Sequence, residues 1–335
     1  MVTTSLPSSA QHPNSVLTGA QGGVLTLPVC DHYSGVEARM RKSLELQARW
    51  FNDHGLCPFD VTLDAEDGAP TGSEAEHMEL IVRLLREVAS PSVRVGARVH
   101  DVLHPCFQDD VKRLVGAAAD RLAFLMVPKV DTPEQLQTAI QALDEAGGAA
   151  VPLHILVESP LAILHVAELA AHARVQSISF GLMDFISSYG GAIPETAMTV
   201  DGQFQHPIVV RAKLAIAEAC HAYGKVPAHG VVTEFRDTDA LFKAATRAGR
   251  ELGFTRMWSI HPDQIPVIVR ALTPDAQLIE HAAQVLLLAA TAQWAPIEFQ
   301  HRLHDRASYR YYWQVLQRAH QTGAPVPAAV QPWFF

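Results

Sequence analysis

The sequence predicts a (β/α)₈ barrel followed by a helical C-terminal extension. Eight short apolar runs recur along the 335 residues and begin about 25 to 35 residues apart, with one longer interval after the sixth. Such an interval is typical of a strand plus a crossover helix. Most of the runs are continuously apolar, as in parallel strands that are buried on both faces. A doubly wound sheet is the alternative, but no GxGxxG motif follows the first run.

The individual elements follow from these runs and from the helix signals between them. Thr132-Pro133-Glu134-Gln135 and Ser159-Pro160 are typical helix starts, and Gly253 is a typical helix end. We expect a flexible extension over 1–23, the barrel over 24–262, and a helical segment over 263–335 that packs on the barrel or on a neighbouring subunit. The predicted strands span residues 24–29, 59–63, 93–99, 122–130, 153–157, 178–181, 226–231 and 257–260.

Composition excludes several classes of protein. Apolar residues make up 48% of the chain and charged residues 18%, which predicts a large core and excludes a disordered or fibrous chain. The net charge of −9 argues against nucleic-acid binding. No apolar run is long enough for a membrane span, and the N-terminal segment has no basic residues of the kind that targeting signals need. We therefore expect a cytoplasmic protein with four reduced cysteines.

Candidate functional residues stand at the predicted strand ends, where the active sites of such barrels form. Several carboxylates cannot share a dry site without a cation, and two carboxylates with water and substrate oxygens are a usual way to bind Mg²⁺. The pattern therefore favours a Mg²⁺ or Mn²⁺ site with basic residues beside it. The residues are Glu66 and Asp67 with Asp64 after the second run, Arg98 after the third, Lys129 after the fourth, Glu158 after the fifth and Asp184 after the sixth.

Each of these residues could instead have a purely structural role. Glu158 could interact with the helix start at Ser159, and Asp184 could cap a loop. Arg98 could be no more than an ion-pair partner of the acidic residues. At least one of Asp64, Glu66 and Asp67 is expected to be solvated or structural, and Lys129 to support the site from outside it.

These segments resemble the HpcH/HpaI aldolase/citrate lyase family, in its citrate lyase β-subunit-like and malyl-CoA lyase-like branch. The matches keep the family's order along most of the chain, which makes the set far more specific than any single member. They are Asp64-Ala65-Glu66-Asp67-Gly68-Ala69, Arg98-Val99-His100, His104-Pro105-Cys106-Phe107-Gln108-Asp109-Asp110, Val127-Pro128-Lys129-Val130, Val157-Glu158-Ser159, Phe180-Gly181-Leu182-Met183-Asp184, His229-Gly230-Val231 through Phe235-Arg236-Asp237, and Ser259-Ile260-His261-Pro262-Asp263-Gln264-Ile265.

The resemblance implies a Mg²⁺-dependent carbon–carbon lyase or aldolase that acts on a small oxo- or hydroxy-acid. It implies that Glu158 and Asp184 ligate the metal, that Arg98 stabilises the developing enolate oxygen, and that Glu66 and Asp67 lie just behind these groups. Two alternatives stay open: a CoA-thioester hydrolase on the same site, and a non-catalytic subunit of a larger lyase complex. The helical tail after the eighth strand has no strand partner of its own, which predicts that it joins neighbouring copies of the chain in a homo-oligomer, a trimer or a hexamer.

Three departures from the family pattern bear on the substrate. The C-terminal motif that supplies an acidic base in trans is matched only loosely, and Asp305 is its candidate. The segment expected to bind CoA phosphates lacks its basic residue and carries Asp31 and His32. An acidic group there would repel a phosphorylated carrier, so use of a CoA thioester is an open question. His100 stands where the family has Asn, which indicates a changed substrate pocket.

Overall fold

Eight parallel strands close into a barrel in sequential order, which confirms the predicted fold class. The computed structural model describes residues 11–17, 25–69 and 71–334. The strands are β1 (Cys30–Ser34), β2 (Phe59–Asp64), β3 (Val95–Arg98), β4 (Leu125–Val127), β5 (Leu153–Val157), β6 (Val175–Phe180), β7 (Val226–His229) and β8 (Arg256–Ser259). Closure is made by β1 against β8, where Cys30 pairs with Met257.

Helices follow the strands as the crossover connections require. Thr132 and Ser159 cap two of them, each accepting a backbone N–H three residues on, as predicted. The predicted stop at Gly253 is also confirmed, because that residue has a φ of 77°. The helices of the barrel are α2 (Glu37–His54), α3 (Glu74–Glu87), α4 (Phe107–Ala118), α5 (Pro133–Glu145), α6 (Pro160–Ala171), α7 (Leu182–Ser187), α8 (Pro207–Ala222), α9 (Thr238–Leu252) and α10 (Gln264–Leu272).

The first strand corrects the sequence-based prediction. We expected it in the apolar run 24–29, of which Val24 lies outside the described residues, but β1 is the more polar Cys30–Ser34. Asp31 is 1% exposed, and its carboxylate pairs with the equally buried Arg256 at 2.9 Å. Asp31 therefore lies inside the barrel, so it is not a surface charge that would repel a phosphorylated carrier.

The chain divides into two compact units, of which the barrel is Leu25–Leu272. The other comprises the described residues of Met1–Val24 together with Thr273–Phe335. The predicted flexible extension over 1–23 lies largely outside the described residues; its residues 13–17 form a short helix, α1 (Pro13–Leu17). The Trp313 indole N–H donates to the Asn14 side chain at 2.6 Å, within this second unit.

The second unit has its own apolar core. It contains α11 (Ala276–Thr291), α12 (Arg306–Gln321) and a hairpin of two three-residue strands, β9 (Ile297–Phe299) and β10 (Arg302–His304). These strands are too short to leave a period in the sequence, so the predicted helical segment missed them. Among the described residues, no helix is long and apolar enough to span a membrane.

Candidate active site

The predicted site residues of the barrel stand at the carboxyl ends of its strands. Asp64 and Arg98 are the last residues of β2 and β3, and they lie opposite each other in the parallel ladder. Glu158 follows β5 directly, while Asp184 lies in the first turn of α7, just after β6. The barrel thus brings to one end the groups that the sequence scatters over about 120 residues (64 to 184).

Arg98 is held by carboxylates on two sides. Its Nε and Nη2 each donate to an oxygen of Asp64 at 2.6 Å, and its Nη1 lies 2.8 Å from Glu66 Oε2. Asp64 is itself fixed by the backbone N–H groups of Glu66 and Gly68. Although burial acts against its charge, Asp64 and Glu66 raise the pKa of Arg98 further above its usual value. Arg98 is therefore a fixed cation with only 4% of its surface exposed.

Lys129 connects the Arg98 group with Glu158. Its side chain forms a short ion pair with Glu66, while its backbone N–H donates to Glu158 Oε1 at 2.8 Å. The residue has a φ of 53°, a left-handed conformation that costs a non-glycine residue free energy. Asp67 is farther off, 3.8 Å from Lys129 Nζ and 58% exposed, so it is the solvated member of the acidic cluster.

Glu158 is a buried carboxylate without an ion-pair partner among the described residues. It is 5% exposed, and burial together with the negative charge of Asp184 raises its pKa to about 8. Its Oε1 accepts the Lys129 N–H, while Ser159 caps the start of α6. Gly181 packs so closely on this carboxylate that a Cβ at that position would overlap Oε2. The local structure therefore leaves just enough space for the Glu158 side chain, and the negative charge of Asp184 acts on it.

A cation would relieve the repulsion between Glu158 and Asp184. In the part of the chain that the structure describes, no group of three or more His, Cys, Asp or Glu side chains is arranged to hold a metal ion. The donor set at this position is thus two carboxylates. This set fits Mg²⁺, which binds through one or two carboxylates and retains several waters.

A cavity of about 520 Å³ opens between the ends of β1 and β8, and sequence reasoning missed it. Its wall includes Tyr33, Phe235 and His261, and two exposed cations of α2, Arg39 and Lys42, stand at its edge. The sequence does place Arg39 and Lys42 shortly after Ser34-Gly35, at the end of the first strand. These two residues were overlooked as site residues because the first strand was predicted six residues too early.

Asp305, the predicted base, lies in the second unit and is the N-cap of α12. Its Oδ1 accepts the backbone N–H of Ala307 at 2.9 Å, and Ser308 completes a capping box. The side chain is exposed. Its catalytic role stays a prediction.

Comparison with known proteins shows the family to which this chain is related. A family model described as HpcH/HpaI aldolase/citrate lyase matches residues 50–262. An L-malyl-CoA/beta-methylmalyl-CoA lyase of Cereibacter sphaeroides is 28% identical over 282 residues, which are 79% of this chain and 88% of that protein. A (3S)-malyl-CoA thioesterase of the same species is 27% identical over 231 residues, which are 68% of this chain and 74% of that protein.

Solved structures agree with the barrel. A citrate lyase from Burkholderia xenovorans is 46% identical, with a TM-score of 0.79 over 97% of this chain and 99% of that one. The CitE protein of Mycobacterium tuberculosis, solved with magnesium, acetoacetate and coenzyme A, has a TM-score of 0.65 over 87% of this chain and 97% of that one. At 21% identity, this second likeness is one of fold.

Proposed function

Because the chain belongs to the HpcH/HpaI aldolase/citrate lyase family, we propose that it is a Mg²⁺-dependent carbon–carbon lyase. Its substrate is a small hydroxy acid carried as a CoA thioester, and its products are an oxo acid and a shorter acyl thioester. The observation that carries the proposal is the buried Glu158 carboxylate, which has Asp184 beside it and no cation paired with it among the described residues.

Glu158 and Asp184 would hold the metal. When bound, Mg²⁺ supplies positive charge to the oxygens of an oxo acid or of an enolate. The backbone N–H of Lys129 orients Glu158, and the absence of a side chain at Gly181 leaves room for the carboxylate. The hydrogen bond with Lys129 favours the charged form of Glu158, and together with the space at Gly181 it fixes the position of the carboxylate.

Arg98 would stabilise the charge that develops when the carbon–carbon bond breaks. Two of its five N–H groups donate to Asp64, and Nη1 forms an ion pair with Glu66, so N–H groups on the two terminal nitrogens are left for substrate oxygen. Because the guanidinium is held before the reaction starts, little reorganisation is needed in the transition state.

The cavity between β1 and β8 would take part of the CoA carrier. At about 520 Å³ it falls within the range of small-molecule sites. Arg39 and Lys42 provide cations for phosphate groups, and Phe235 and Tyr33 provide apolar surface. Asp31, which the sequence suggested as a repulsive charge, is sequestered by Arg256.

A product assay tests this function. The protein is incubated with Mg²⁺ and the CoA thioesters of malate, β-methylmalate or citramalate, while oxo acid and free thiol are measured separately. A lyase releases oxo acid without an equivalent amount of thiol, and EDTA stops the reaction. If no thioester yields oxo acid with either Mg²⁺ or Mn²⁺, the proposal is wrong.

A thioester hydrolase is the second candidate, because one relative is a malyl-CoA thioesterase. That activity would release one thiol for each free hydroxy acid and no oxo acid. If neither product forms, the result would favour the third possibility, a subunit that does not catalyse the reaction alone. We also propose that the protein acts in the cytoplasm as a homo-oligomer.

A further inference from the structure

A histidine and an aspartate form a close pair near the Arg98 group. His100 follows Arg98 by two residues, and the Val99 N–H still bonds to β4 through the Met126 carbonyl at 3.1 Å. The alternation of an extended chain therefore places His100 on the same side as Arg98. The His100 Nδ1 lies 2.6 Å from Asp110 Oδ2, which also accepts the His100 backbone N–H at 3.2 Å.

This geometry fixes the orientation of the ring. The Asp110 side chain is 3% exposed and lies at the start of α4. The position of its carboxylate is therefore fixed, and it holds the imidazole in one orientation. A carboxylate bonded to Nδ1 keeps a proton on that nitrogen, and the lone pair of the neutral ring is then on Nε2. Among the described residues, His100 Nε2 has no hydrogen-bond partner, and 11% of the side chain is exposed. The free nitrogen is thus the reactive one.

A second histidine covers the face of this ring. His104 stacks on His100 with centroids 4.1 Å apart and planes 11° apart. The His104 Nδ1 accepts the Cys106 backbone N–H at 3.2 Å, which fixes the orientation of the His104 ring against His100.

The surrounding charges favour a protonated His100. The hydrogen bond to Asp110 raises the pKa of His100 above its usual value, against the effect of burial, and Glu66 and Glu74 act in the same direction. His104, which stacks on the ring, is a further titratable group that faces it. Glu66, one of the carboxylates that act on His100, also pairs with Arg98.

We propose that His100, oriented by Asp110, is the residue that transfers the proton in the carbon–carbon cleavage. This inference rests on the proposed lyase function. Neutral Nε2 takes the proton from the substrate hydroxyl, the carbon–carbon bond breaks, and its electron pair forms the enolate of the departing acyl fragment. The former hydroxyl carbon becomes the carbonyl of the oxo acid. Nε2–H then returns the proton to the enolate carbon, so His100 regains its neutral state.

The position of Asp305, the other candidate for the proton-transferring residue, supports the assignment of this role to His100. Asp305 uses its carboxylate to cap α12, and the motif around it matches the family pattern only loosely. His100, by contrast, lies in the same unit as Arg98, Glu158 and Asp184. The reaction could then be completed by the residues of one barrel.

The test compares His100→Asn with the parent on the thioester that the parent cleaves. Asn keeps a donor for Asp110 but removes Nε2. We expect kcat to fall by about 10²- to 10⁴-fold, the usual contribution of a general acid–base group. We expect KM to change by less than about threefold. In the parent, kcat/KM should rise with pH through the pKa of His100. That rise should be absent in His100→Asn, and added imidazole should restore part of the activity.

Two further variants separate a chemical role from a structural one. In Asp110→Asn, the rise in kcat/KM should move to lower pH, because the carboxylate that favours protonated His100 is gone. His165→Asn is the matched control, since His165 lies 3.3 Å from Glu168 on the surface of α6, away from the site. This variant should keep the rate and the pH profile of the parent.

Four results would overturn the inference. His100→Asn could keep the parental kcat and pH profile, or it could raise KM at unchanged kcat, which would indicate anion binding instead. The pH-dependent rise could disappear in Asp305→Asn and persist in His100→Asn. Finally, a parent that cleaves none of the thioesters would refute the lyase function and this inference together, whereas the first three results leave the lyase function intact.

Discussion

At the scale of single residues, Glu158 and Asp184 give the most direct prediction. Glu158→Ala and Asp184→Ala should each abolish Mg²⁺ binding, because each removes one of the two anionic ligands of an ion that gives up its waters reluctantly. Both residues lie at the rim of the barrel, so the variants should melt close to the parent. Titration with Mg²⁺ or Mn²⁺, beside a melting curve for each variant, checks this prediction. Parent-like affinity in either variant would contradict a metal site shared by the two residues.

Arg98 gives a second prediction at this scale. Arg98→Lys keeps the charge but cannot bond Asp64 with two parallel N–H groups and also reach Glu66. We expect kcat to fall by about 10²- to 10³-fold, as when one oxyanion donor is lost. Arg174→Lys is the control, since Arg174 pairs with Asp144 and with backbone carbonyls on the outside of the barrel. A lysine at position 98 with full activity would refute a geometric role for the guanidinium.

A site residue could be predicted from the sequence when it stands at the end of a strand. Glu158 and Arg98 stand at strand ends, so approximate strand positions were enough to identify them. The pairing of His100 with Asp110 could not be predicted, because it depends on the turn over 101–106 that brings the start of α4 back to β3. Sequence alone shows both residues without showing the 2.6 Å contact between them.

At the scale of elements, β1 shows why apolar runs can misplace a strand. The interior of this barrel is not wholly apolar, since Asp31, Asp60 and Arg256 are buried together near the amino ends of β1, β2 and β8. A strand that carries one of these charges looks like a loop in a hydropathy reading. The apolar segment before it looks like the strand, and this produced the shift by six residues.

A prediction at the scale of elements concerns Gly181, at the junction of β6 and α7. A methyl group at Gly181 would overlap the Glu158 carboxylate, so Gly181→Ala should displace Glu158 or α7. We expect loss of metal binding and a destabilisation of about 1–3 kcal/mol, the usual cost of overpacking. Gly116→Ala is the control, because this helical glycine has open space around it. That change should stabilise α4 by about 0.5–1 kcal/mol. Unchanged metal affinity in Gly181→Ala would refute the close packing.

At the scale of the whole molecule, we predict a trimer or a hexamer. Large apolar side chains are exposed in both units, among them Leu164 at 73% and Leu303 at 77%. Burying such surface between copies of the chain is favourable. Light scattering should therefore give three or six times the chain mass of 36.5 kDa. A mass of one chain over the working concentration range would contradict the prediction.

Three buried neutral histidines should each lower the stability of the barrel in acid. Burial lowers the pKa of His32 to about 4, and it lowers the pKa values of His154 and His229 well below the usual 6.5. In the unfolded chain these groups protonate below about pH 6.5, whereas in the folded protein they do not. The contribution of these three histidines to the free energy of unfolding should therefore decrease as the pH falls from 6.5 towards 4, by at most about 1.4 kcal/mol per pH unit for each histidine. His100 and Glu158 act in the opposite direction, since both have raised pKa values and bind a proton more readily in the folded protein than in the unfolded chain.

His229→Phe isolates one of these contributions. The His229 ring stacks on Phe204 with centroids 5.4 Å apart and meets Phe254 edge-on, and its Nε2 is buried without a hydrogen-bond partner among the described residues. Phenylalanine keeps the aromatic packing and removes the unsatisfied nitrogen, the proton that the unfolded chain takes up, and the buried hydrogen bond from His229 Nδ1 to the Gly230 carbonyl at 3.0 Å. The variant should therefore start from a somewhat lower free energy of unfolding at pH 7.5 and should lose less between pH 7.5 and pH 5 than the parent. Denaturant unfolding at both pH values measures this difference, with His165→Phe on the surface as the control. An identical pH dependence in His229→Phe and the parent would show that His229 is protonated in the folded barrel as readily as in the unfolded chain.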